Sequence, residues 1–113
     1  MQHLSNIELL EGARTSVAEE RKATARIIEY LEEIERRGLH LEKGFPNLFE
    51  FCRGELGMSE GAAQRRIATM RLGKEVSQVK ESIESGSLSL SNASRLQSFF
   101  RHQKKTGKTY TPE

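Results

Sequence analysis

Residues 48–72 read LFEFCRGELGMSEGAAQRRIATMRL, and the way this stretch divides decides the fold. Phe45, Leu48, Phe49, Phe51, Cys52 and Leu56 form an apolar stripe at helical spacing, and Pro46 suits a first helical turn. Gly57 can adopt the left-handed conformation that ends a helix sharply. Ser59 is then a natural N-cap for a second helix, with Glu60 favourably placed at its positive end. Two helices joined by a tight turn are the outline of a helix-turn-helix, whose second helix enters a DNA major groove.

On a helical wheel of residues 60–72, Ala63, Ile67 and Met70 share a face that should pack on the preceding helix. Gly61, Gln64, Arg65 and Ala68 lie near the opposite face, with Arg66 and Arg71 on its flanks. Gln matches adenine and Arg matches guanine in bidentate fashion. Arg66, Arg71 and Lys74 would hold phosphates, positioning the helix without reading sequence. Ser59, Gln64, Arg65, Arg66, Arg71 and Lys74 are therefore the candidate DNA-binding residues, against a plainer reading as solvated charges on an amphipathic helix. The pattern is loose at two places. Arg53 stands four before the turn glycine, where a small residue is expected, with Gly54 one place late. Arg66 stands nine after it, with the apolar Ile67 one place later.

Upstream, Ser5-Asn6-Ile7-Glu8 fits a capping box. Leu10, Val17, Thr24 and Leu31 follow at intervals of seven, and Ile27 and Ile34 repeat that interval. This predicts one long helix over residues 5–37, with a bend allowed near Gly12–Thr15 and Gly38 as its stop. Its length exceeds what a small core covers, so its 16–37 face could pair with a second copy or fold back onto its own domain. Glu29, Glu32, Glu33 and Glu35 should lie mostly outward, and residues 39–44 read as a connector.

Downstream, Gly73 should end the second helix of the pair. Residues 75–85 predict a further helix with Val76, Val79 and Ile83 inward and Gly86 as its cap. Ser89 or Ser91 caps a last helix bearing Ala93, Leu96, Phe99 and Phe100. No Val/Ile/Thr-rich run alternates with period two, so no sheet is expected. The fold class is all-α: a long N-terminal helix followed by a helix-turn-helix-like bundle of about four shorter helices. The parts are one helical domain over 1–104, comprising the 5–37 helix, the 45–72 unit and supporting helices over 75–104, and a flexible tail over 105–113.

Charge separates the halves. Residues 1–60 hold 8 Lys/Arg against 12 Glu, while residues 61–113 hold 10 against 4. A basic second half suits a polyanion. The chain has no Asp, so no Ser-His-Asp set can form, and the GxxxxGK[ST] phosphate loop is missing. Cys52 is the lone cysteine and reads as a buried small apolar group. His3, His40 and His102 are isolated from one another and from ligand-spaced carboxylates. The expectation is a non-enzymatic, soluble, cytoplasmic protein with no metal or cofactor, no small-molecule substrate and no membrane segment. Its partner is double-stranded DNA, the alternative being a helical protein-interaction or dimerisation module.

The run RRGLHLEKGFPNLFEFCRGELGMSEGAAQRRIATMRL over residues 36–72 resembles the helical N-terminal region of a bacterial group of HNH endonuclease proteins. In that group an arginine-rich helix end, an LF-[DE]-[YF]-C segment and an L-x-[LYM]-S-E-x-A-A-x-x-R-I-x-A helix follow in this order, and the likeness covers residues 16–100. The His-Asn-His nuclease module found downstream in that group has no counterpart in these residues. The resemblance therefore implies the DNA-engaging or regulatory part of such a protein without its nuclease. Residues 57–96, ending in ESIESGSLSLSNASRL, are also similar to the helix-turn-helix region of chromosome-partition proteins. That likeness implies Gln64, Arg65 and Arg71 in a recognition helix and residues 91–96 in a supporting one.

Overall fold

The computed structural model describes residues 1–105, with side chains through residue 102. Among them are six helices and no strand: α1 (Asn6–Arg37), α2 (Leu39–Glu42), α3 (Leu48–Gly54), α4 (Glu60–Glu75), α5 (Val79–Ser85) and α6 (Leu90–Lys105). The expected tail falls on residues 106–113, outside those described, and Lys105 still belongs to α6.

α1 begins as its capping box dictates. The Glu8 N–H donates to Ser5 Oγ at 3.1 Å, and the Ser5 N–H donates to the Glu8 carboxylate at 3.2 Å. The helix runs unbroken for 32 residues, through Gly12–Thr15, and stops at Gly38, whose φ of 68° closes it in the left-handed conformation. Only its second half meets the core. Thr24, Ala25, Ile28 and Leu31 are buried, while Ile7, Leu9, Leu10 and Val17 are exposed.

The connector expected over residues 39–44 contains the single turn α2, which buries His40. Asn47 caps α3 by accepting the Glu50 N–H at 2.8 Å, which leaves Pro46 just outside that helix. The following turn is stitched by Leu56 N–H to Phe51 O and Met58 N–H to Cys52 O, with Gly57 at φ 68°. Leu56 leaves the apolar stripe and is exposed. Gly54 is where close approach happens: a Cβ there would come within 2.6 Å of Phe45 Cε1. The small residue sits one place later than in the commonest turn because the Phe45 ring lies over that position, edge-on to Phe51 at 5.7 Å.

α4 is the central helix. Ala63 and Met70 join Ile28, Leu31, Leu48, Phe51 and Cys52 in one core cluster, and Leu72 joins Val79, Ile83 and Ala93 in a second. Leu90 packs against both. Gly73 does not end the helix. It is flanked by buried Leu72, and the Val76 N–H continues the ladder to Leu72 O, so packing overrides the roughly 1 kcal/mol a helical glycine costs. α5 therefore starts at Val79 and not at residue 75, and Val76 points outward. Ser89 is the residue that caps α6, accepting the Asn92 N–H at 3.1 Å. Leu96 and Phe99 are exposed, leaving Ala93 and Phe100 to pack inward.

Candidate nucleic-acid interface

Ser59 starts α4 and spends its oxygen on the Ala62 N–H at 3.2 Å, which keeps its hydroxyl hydrogen available to an outside acceptor. The first turns of α4 present Gln64 and Arg65 to solvent. The Arg65 guanidinium lies over Gly61, where an added Cβ would sit 2.9 Å from Nη1. Arg65 forms no ion pair among the described residues. Glu60 is the one acidic group on this end of α4, and Arg53 Nη1 stands 4.0 Å from it.

The remaining candidates are engaged elsewhere. Arg66 is half-buried and donates to Ala62 O at 3.2 Å. Its charge reaches the Cys52 thiol, although burial outweighs it and pushes that thiol up. Arg71 makes a bidentate pair with Glu35 of α1, at 2.9 and 3.0 Å. Lys74 Nζ lies 3.5 Å from the same carboxylate. Arg71 and Lys74, which the sequence suggests as phosphate contacts, are thus both paired with Glu35, and Glu35 is not outward. Hydrogen bonding from Arg71, reinforced by the charge of Lys74, holds the Glu35 carboxyl below its usual range against the opposing effect of burial. Glu35 was legible in principle, since it lies one turn beyond Leu31 and on the same face as Ile28, where a carboxylate needs a partner.

α6 corrects the wheel more substantially. It lies along α4 and closes a groove of about 330 Å³ lined by Phe49, Gln64, Ile67, Ala68, Arg71, Ser94, Gln97, Ser98 and Arg101. Ala68, expected on an open face, is a wall of this groove. The open polar surface is consequently a two-helix face, with Gln64 and Arg65 from α4 and Arg101 from α6. Arg101 and the polar side chains of residues 94–98 were missed because the apolar spacing in that stretch drew attention to its inward positions.

Among the described residues no three His, Cys, Asp or Glu side chains gather as metal ligands. No described helix is long and apolar enough to cross a membrane. No family model, curated protein or solved structure matches the chain.

Proposed function

We propose that this chain is a non-catalytic, helix-turn-helix type domain that binds double-stranded DNA through the α4–α6 face, related to the N-terminal region of HNH nucleases. The observation that carries this reading is the first two turns of α4: Gln64 and Arg65 stand in solvent on a capped helix end. Helix-turn-helix proteins use that end of the second helix against base edges. Arg101 flanks it across the groove and supplies a phosphate contact, in a region where Lys and Arg outnumber Glu.

Fluorescence anisotropy with a labelled duplex tests this. Binding should weaken steeply as salt rises, because each phosphate contact releases a counterion. Arg65→Ala and Arg101→Ala should each lower affinity about fivefold or more at low salt, with helical circular dichroism unchanged because both side chains are exposed. Arg71→Ala should instead show mainly in stability, since its partner is Glu35. A wild-type chain that leaves the duplex unbound at low salt defeats the reading.

The alternative, a helical interaction module, is favoured by a different observation: the first half of α1 carries exposed apolar side chains and meets no core.

A further inference from the structure

Arg71 stands at a junction of two surfaces. On one side it lines the α4–α6 groove together with Gln64 and Arg101. On the other its Nη1 and Nη2 donate to the two carboxylate oxygens of Glu35 on α1, at 2.9 and 3.0 Å. Lys74, about one turn further along α4, brings its Nζ to 3.5 Å from the same carboxylate. A guanidinium fork on two oxygens, with an ammonium beside it, is also how protein cations take a phosphate. The position suits a phosphate as well. Arg71 follows Gln64 by two turns, roughly 10 Å along the helix, and a DNA major groove is about 12 Å wide. A helix that brings Gln64 to the base edges therefore carries Arg71 and Lys74 to the backbone at the groove's rim.

We infer that Glu35 occupies, in the free chain, the place of a duplex backbone phosphate, so that α1 restrains the DNA affinity of the α4–α6 face. The inference deepens the DNA reading and rests on it. Glu35 acts in two ways: it withholds two cations from the phosphates, and its own charge repels an approaching phosphodiester. Held on the neighbouring helix, it is always within reach of Arg71, whereas a duplex competes at its bulk concentration. The pair can also yield. The Arg71 and Glu35 side chains are 41% and 24% exposed, and partly exposed pairs add little to folding. Glu29 offers the internal comparison. It too lies on α1 and pairs with a cation of another helix, Lys80 of α5, but Lys80 does not line the groove.

Fluorescence anisotropy with a labelled duplex over a salt series separates the two carboxylates, since Glu35→Gln and Glu29→Gln change net charge alike and keep the side-chain shape. Glu35→Gln should tighten binding about threefold to tenfold at low salt. It should also steepen the dependence of log affinity on log salt by about one to two, one phosphate contact for each cation released. Glu29→Gln should change affinity less than about twofold. Adding Arg71→Ala to Glu35→Gln should remove most of the gain, and circular dichroism should show every variant helical. Wild-type binding that Glu35→Gln does not tighten, or that Glu29→Gln tightens equally, overturns the inference and leaves the DNA reading standing. A duplex bound by Glu35→Gln alone supports the restraint and defeats only the reading that the free chain binds DNA. A duplex bound by neither chain overturns both.

Discussion

α1 and α4 meet where Glu35 grips Arg71, and each is packed along one part of its length and open along another. The open part of α4 is polar, with Glu60, Gln64 and Arg65 in water. The open part of α1 is apolar, with Ile7, Leu10 and Val17 in water. A polar open end is complete in solvent and can wait for a charged partner. An apolar open end keeps unburied surface worth roughly 25 cal/mol per Å², and that surface favours association. The same element type, at similar exposure, thus points to two different kinds of partner.

The largest effect should come from setting the two ends of α1 against each other. Leu31→Ala removes a side chain 1% exposed in the first core cluster and should cost about 2–5 kcal/mol. Val17→Ala should stay within about 0.5 kcal/mol when the chain is dilute. Urea unfolding followed by circular dichroism measures both, and equal losses would erase the distinction between packed and open halves.

Gly54→Ala comes next. Its Cβ would meet the Phe45 ring at 2.6 Å, costing about 1–3 kcal/mol despite the better helix propensity of alanine. Combining it with Phe45→Leu should give less than the sum of the two single losses, because the smaller side chain vacates the clash.

The smallest effect probes the join itself. Glu35→Gln should cost about 1 kcal/mol, as expected for a pair whose Arg71 side chain is 41% exposed. Because the folded Glu35 is held below its unfolded value of 4.5, its contribution is fully present above that pH. It is lost as pH falls through the lowered folded value. The variant should therefore lose less stability on acidification than wild type. A slope remains, since Glu8, held low by Ser5, and Glu33, pulled to about 2 chiefly by Arg36, are untouched. If the α4–α6 face binds DNA, the same variant releases Arg71 and Lys74 and should bind a duplex a few-fold more tightly at low salt. Unchanged binding would place those two side chains away from the phosphates.

Packed and open stretches differ also in how legible they are in the sequence. Capping chemistry is local, so Ser5 with Glu8, Ser59, Gly38 and Gly86 marked helix ends correctly from a few residues each. Periodicity identified the face of α1 that can be buried but carried no information on how much of it is, and Val17 and Leu31 look alike in sequence. Gly73 and Val76 misled for a related reason: helix continuation there depends on the packing of Leu72 between α5 and α6. The wheel of α4 assumed one packed side, whereas a central helix has neighbours on several. Gln64 and Arg65 remained open as expected, while Ala68 and Arg71 were claimed by α6 and α1. Side-chain identity suggested what each group can do, and only the tertiary neighbours decide whether it is available.

The two-part character of α1 has a kinetic consequence. Its backbone hydrogen bonds form one continuous ladder from Ser5 to Gly38, but the turns before Ala18 are held only by that ladder and its cap. Their amide hydrogens should exchange with deuterated solvent by fraying, within a small fraction of the time needed for those around Leu31, whose exchange requires opening of the core. A monomer should therefore show a gradient of protection rising along the helix. Whatever docks on the open half would flatten that gradient, so α1 carries a residue-by-residue record of its own occupancy.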